Sequence, residues 1–105
     1  MDSNFAIAHL YLGRAYVQKG NLEQAIVEAQ TATRLSGSHP FYIAWLGYAY
    51  ARGGNRNEAL RILHQLKVIS GKKYVAPHDV AAIYVGLGEN SKAIAWLNKG
   101  YDEHS

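Results

Sequence analysis

One interval governs this chain. Gly20, Gly54 and Gly88 stand 34 residues apart, as do Tyr16, Tyr50 and Tyr84, and Ala25, Ala59 and Ala93. Gly13 and Gly47 fall in register with Ala81, Leu12 and Leu46 with Val80, and Ile26 and Leu60 with Ile94, without an insertion anywhere. Three copies at one period restrict the fold more than any other feature. Each copy has to be the same supersecondary unit, and a unit this short cannot enclose its own apolar face, so the copies must stack.

Within each copy, apolar residues recur at spacings of three and four, the helical period. The first segments read IAHLYLGRAYVQK, FYIAWLGYAYAR and HDVAAIYVGL, and the second LEQAIVEAQTATRL, RNEALRILHQLKVI and SKAIAWLNKGY. Gly20, Gly54 and Gly88 follow the first segments, where a C-cap favours the left-handed conformation that glycine adopts readily. Gly37 and Gly71 are expected to close the second segments in the same way. Asn21, Asn55 and Asn90 are placed to N-cap the second helices. Pro40 and Pro77 fall near the starts of first helices, where a missing N–H costs little. The predicted fold is all-α, six helices in three antiparallel hairpins. Gly13, Gly47 and Ala81 are expected to face Ala25, Ala59 and Ala93, because a larger side chain at either place would force the paired axes apart. The tyrosines at 16, 50 and 84 fill the wider gap near each turn, each with a hydroxyl able to reach a polar partner.

The chain has 105 residues, of which 49% are apolar, enough for one folded domain over 1–105. The absence of cysteine excludes disulfides, thiolate metal sites and a thiol nucleophile. A net charge of +3 is spread from Arg14 to Lys99, with Lys72 and Lys73 the only adjacent basic pair, so no clustered basic face for nucleic acid is expected. No apolar run approaches the length of a membrane span. The opening MDSNFAIAHL has no basic stretch of the kind that begins a signal peptide, and the expected location is the cytoplasm.

Chemistry is hard to find. The five histidines (His9, His39, His64, His78 and His104) make no His-x3-His pair and show no metal-ligand spacing with Asp or Glu. Ser70 and Lys73 are spaced like a nucleophile pair, but they fall at a turn between copies, where basic residues beside a helix end are explained by its dipole. No carboxylate pair is placed for acid–base work. The expectation is therefore no enzyme, with no catalytic, cofactor or metal site.

The period and its residues resemble the tetratricopeptide repeat. That family's signature, Trp-x2-Leu-Gly-x2-Tyr followed by Gly, Ala, Phe, Ala and Pro, is met by Leu12, Gly13, Tyr16, Gly20, Ala25 and Ala32 in copy one. Copy two supplies Leu46, Gly47, Tyr50, Gly54 and Ala59, and copy three Tyr84, Gly88 and Ala93, with Val80 and Ala81 as softer matches. The signature Trp place holds His9, Ile43 and Pro77, the Phe place Ala29, Leu63 and Leu97, and the terminal Pro place Gly37 and Gly71. The stretch from Lys72 to Ser105 is also similar to repeat segments of multidomain bacterial signalling proteins.

The resemblance implies a right-handed α-solenoid of three helix-turn-helix hairpins, with repeats at about 6–39, 40–73 and 74–105, whose first helices line a concave groove. Carried over, the groove places are Ile7, Leu10, Arg14, Val17 and Gln18 in copy one, Phe41, Ala44, Trp45, Tyr48 and Arg52 in copy two, and Val75, His78, Asp79, Ala82 and Val85 in copy three. The peptide-binding candidates among them are Leu10, Arg14, Phe41, Trp45, Tyr48, Arg52 and His78. Relatives that grip acidic chaperone tails use a two-carboxylate clamp of Lys, Asn and Arg; here only Arg14 is basic at those places, so that specificity should be absent. An apolar, aromatic groove with two arginines suits a protein or peptide partner carrying apolar side chains and an acidic or carboxylate group. Phe41 and Trp45 have a second reading, as packing against the preceding repeat. The expected function is a protein–protein interaction scaffold. The alternative is a structural module that self-associates, as a homo-oligomer, through a C-terminal helix whose Ile94, Leu97 and Tyr101 have no following helix to cover them. A chain that is a piece of a longer array would show the same face.

Overall fold

The structure is a computed structural model that describes residues 3–104, with side chains from Phe5 to Lys99. The six helices are α1 (Ser3–Gln18), α2 (Leu22–Leu35), α3 (Pro40–Arg52), α4 (Arg56–Ile69), α5 (Pro77–Gly86) and α6 (Asn90–His104). They pair as hairpins α1–α2, α3–α4 and α5–α6. The hairpins stack into a helical solenoid.

The turn inside each hairpin is built three times from the same atoms. Gly20, Gly54 and Gly88 have φ of +79°, +80° and +79°. The next residue then turns its N–H back to the tyrosine carbonyl: Asn21 to Tyr16 at 2.8 Å, Asn55 to Tyr50 at 2.9 Å and Glu89 to Tyr84 at 2.8 Å. This is the Schellman closure, and it explains why glycine and tyrosine keep one spacing in every copy. Gly37, at φ +73°, closes α2 in the same way, with the Ser38 N–H on the Thr33 carbonyl at 2.9 Å.

Two expected caps are corrected. Gly71 is absent from the left-handed positions; after α4 the chain instead turns by returning the Lys72 and Lys73 N–H groups to the Ile69 carbonyl, each at 2.9 Å. Asn90 is the first residue of α6 rather than its cap. The register puts Glu89 in the place of Asn21 and Asn55, and the Glu89 carbonyl takes the first helical N–H, from Ala93, at 3.2 Å. Of the two asparagine caps, Asn21 accepts from the Gln24 N–H at 3.5 Å and Asn55 makes no side-chain bond. Pro40 and Pro77 do open α3 and α5.

Small residues sit where helices meet. A Cβ on Gly13 would stand 3.6 Å from the Ala25 carbonyl. A Cβ on Gly47 would lie 2.7 Å from both Ile62 Cγ2 and Ile83 Cδ1, so this glycine admits two isoleucines. Ala25, Ala59 and Ala93 are all buried. Tyr50 and Tyr84 are buried too, and each hydroxyl is bonded: Gln30 Nε2 donates to Tyr50 at 2.9 Å and Lys67 Nζ to Tyr84 at 3.2 Å.

The two seams between hairpins differ. α3 rests mainly on α2 and meets α1 only at its margin, whereas α5 rests mainly on α3 and meets α4 at its margin. Side chains outside the repeat pattern account for this. Trp45 is wedged between α1 and α3, its Nε1 3.3 Å from where a Gly13 Cβ would be. On the other side Gly86 lets α5 close on α3, since a Cβ there would come within 2.9 Å of Ala51 Cβ. One seam is held open by an indole, and the other closes through a glycine.

Candidate functional site: a groove along the first helices

Opening the α1–α3 seam leaves a groove of about 640 Å³. α1 contributes Leu10, Arg14, Val17 and Gln18, α3 contributes Phe41, Ala44, Trp45, Tyr48 and Arg52, and α5 adds His78, Asp79 and Ala82. The structure thus brings all seven candidates read from the sequence along one surface. Three other carried-over positions, Ile7, Val75 and Val85, do not line it.

α3 is the central rail. Trp45, Tyr48 and Arg52 lie three and four residues apart, so they project from one helix face. The Trp45 and Tyr48 rings stack at 5.3 Å between centroids and 30° between planes. Arg52 Nη1 donates to the Tyr48 hydroxyl at 2.7 Å, and its guanidinium sits 5.7 Å from the Tyr48 ring centroid. Indole, phenol and guanidinium therefore hold each other in place. Sequence spacing puts the three on one face, but the Tyr48–Arg52 bond, which uses one of the donors of Arg52, could only be seen in three dimensions. Phe41 is exposed at the start of the rail and meets Tyr42 edge-on at 5.3 Å.

Charge is uneven across the groove. Arg14 and Arg52 mark the α1 and α3 walls. On the α5 wall, burial pushes the Asp79 carboxyl above its ordinary range, while the nearby His78 and His39 pull it back. No ion pair involving Arg14, Arg52 or Asp79 occurs among the described residues. No cluster of three His, Asp or Glu that could hold a metal ion occurs among them either. No helix among the described residues is long and apolar enough to cross a membrane.

Trp45 satisfies both readings of the sequence, since it lines the groove and also packs against the preceding repeat. Its Nε1 is buried and has no hydrogen-bond partner. A donor in that state forfeits about 1–3 kcal/mol. Trp45→Phe removes the orphaned group together with part of the ring's buried area, two changes of opposite sign. Thermal melts are expected to place this variant within about 1 kcal/mol of the parent. A much larger loss would mean that the indole N–H finds an acceptor in solution.

The self-association candidates lie elsewhere. Ile94 and Leu97 are 58% and 45% exposed on α6. Tyr101 lies outside the residues whose side chains are described.

Two family models, both described as tetratricopeptide repeat, match residues 2–39 and 45–68. Among curated proteins, the chain is similar to Superkiller protein 3 of Schizosaccharomyces pombe, with 28% identity over 91 residues. That match takes in 87% of this chain but only 7% of the length of the relative. No solved structure matches the chain.

Proposed function

The chain belongs to the tetratricopeptide repeat family, whose repeats generally mediate protein–protein interaction, and from that premise we propose that it holds a peptide or helix of a partner protein in the groove between α1 and α3, without catalysis. The observation that supports this most is the Trp45–Tyr48–Arg52 rail, three interface-prone side chains already fixed by stacking and a 2.7 Å hydrogen bond. Side chains ordered before binding lose less entropy when a ligand arrives, and aromatic residues and Arg contribute most of the energy at interfaces generally. Leu10, Phe41 and Ala44 offer apolar contact beside the rail, and His78 closes the α5 side. Arg14 and the remaining donors of Arg52 suit a carboxylate on the partner.

Selection from a displayed peptide library tests the proposal. The expected ligands carry an apolar or aromatic residue and an acidic group a few residues apart. Tyr48→Ala is expected to weaken them at least tenfold, about 1.4 kcal/mol. Arg14→Gln is expected to reduce the preference for the acidic group while leaving apolar ligands bound. Ligands that bind both variants as they bind the parent would overturn the groove reading.

A second reading is favoured by the exposure of Ile94 and Leu97, namely self-association through the face of α6.

A further inference from the structure

Opposite charges line the groove at opposite corners. By the repeat, α1, α3 and α5 point the same way. Arg14 and Arg52 lie toward the C-terminal ends of α1 and α3, whereas Asp79 stands in the first turn of α5. The signs are therefore separated along the helices as well as across them. The charged neighbours that act on Asp79 are His78 and His39, and neither arginine is among them. Between the two corners lie the stacked rings of Trp45 and Tyr48.

Asp79 is the unusual member of this set. Its carboxylate is half-buried, yet it accepts no hydrogen bond and joins no ion pair among the described residues. An acid in the first turn complements the helix dipole, but an exposed acid does so without the desolvation that Asp79 bears. That cost is incurred in the free chain and left without a partner. A cation arriving in the groove supplies one.

The register sets the distance between the charges. Arg52 is in register with Gln18 and Asp79 with Tyr11, two turns apart on neighbouring first helices. With axes about 8–10 Å apart and a rise of about 1.5 Å per residue, that diagonal is roughly 14 Å. Arg14 is one turn and two helix spacings from Asp79, roughly 17–21 Å. An extended chain covers these spans in about four to six residues. A helix about 10 Å across and as long would occupy roughly 1,400 Å³, more than twice the groove's 640 Å³.

Resting on the reading of this groove as a peptide site, we propose that its occupant is an extended segment of a partner protein carrying an acidic and a basic residue about four to six positions apart with an apolar residue between them, the acid on Arg14 and Arg52 and the base on Asp79. The apolar residue lies on the Trp45–Tyr48 stack. A segment with the charges in the wrong order along the groove sets like against like at both corners, so the pattern also fixes the direction in which the partner lies.

The test selects displayed peptides of about ten residues, a length that spans the groove in extended form, on the parent chain and in parallel on Asp79→Asn and Asp79→Lys. Asp79 is only half-buried, so both variants are expected to fold, which circular dichroism checks. Parent-selected peptides are expected to carry the acid and the base at the stated spacing. Asp79→Asn is expected to keep the acid and lose the bias for a base, and Asp79→Lys to select a second acid in its place. The best parent-selected peptide is then synthesised with its basic residue and with norleucine there, and binding is read by fluorescence anisotropy. The norleucine form is expected to bind the parent about fivefold more weakly, and to bind Asp79→Asn as well as the basic form does. Peptides that weaken on Tyr48→Ala but carry no base, or a norleucine penalty equal on the parent and Asp79→Asn, would overturn the pairing with Asp79 and leave the groove reading standing. Peptides indifferent to Tyr48→Ala, or a selection that yields none, would overturn both.

Discussion

Gly47→Val is expected to destabilise the chain by about 3 kcal/mol, near the upper end for overpacking a core. The Cβ alone would come within 2.7 Å of Ile62 Cγ2 and Ile83 Cδ1 and 3.2 Å of Ile62 Cβ. Neither isoleucine has room to retreat, with Ile62 2% exposed and Ile83 fully buried. The two come from different helices, α4 and α5, so one side chain at position 47 pushes apart a hairpin and a seam together. Helix propensity works the other way, since leaving glycine gains up to about 1 kcal/mol, but a β-branched residue recovers only part of that. In a domain of this size about 3 kcal/mol lowers the melting temperature by roughly 12–24 °C. Gly47→Ala should lose less, and Gly13→Ala less again, because the Cβ at 13 has its nearest contact at 3.3 Å. A Gly47→Val chain melting within a few degrees of the parent would show that α3, α4 and α5 do not meet this closely in solution.

Residues 13 and 47 occupy one register, and their difference shows what a repeat pattern can convey. The 34-residue period specifies what every copy must do for itself: two helices, a left-handed glycine and a tyrosine carbonyl to receive the closing N–H. Those features are local, and local chemistry is legible in a sequence. The seams depend on pairs of side chains from different copies, and those pairs do not repeat. Trp45 holds α1 away from α3, while Gly86, whose register mates are Gln18 and Arg52, lets α5 approach. Nothing in the spacing of either residue announces this. The two mistaken caps have a similar cause. Gly71 and Asn90 are residue types that suit a cap, but the hydrogen bonds are made by Ile69 and Glu89.

The groove was legible for another reason. Its positions follow from family resemblance and lie on helix faces set by the period, so the lining could be named in advance. Its width could not, because that depends on the Trp45 wedge. Nor could the 2.7 Å bond that ties Arg52 to Tyr48 and leaves Arg14 the less committed of the two arginines. The proposed test therefore uses Arg14 for charge and Tyr48 for contact.

Leu63→Ala is expected to cost about 3 kcal/mol, and Leu97→Ala about 1 kcal/mol or less, although both replace the same residue at the same place in the repeat. Leu63 is 3% exposed, and truncating it leaves a cavity lined by a core that cannot collapse into it. Leu97 is 45% exposed, so its truncation removes a half-solvated side chain and opens no enclosed void. Chemical denaturation at low micromolar protein, below the range where copies would associate, isolates the folded chain itself. There the two variants should differ by about 2 kcal/mol, a large share of the stability of a small domain. Equal losses would mean that the α6 face is already covered in the dilute chain, which would remove the basis for a second copy docking there. The expected inequality comes only from the neighbours: Leu63 lies within the core cluster with residues of α3 and α5, and Leu97 stands outside it. In a stack of near-identical units the energy of a residue is set by its position along the row as much as by its letter.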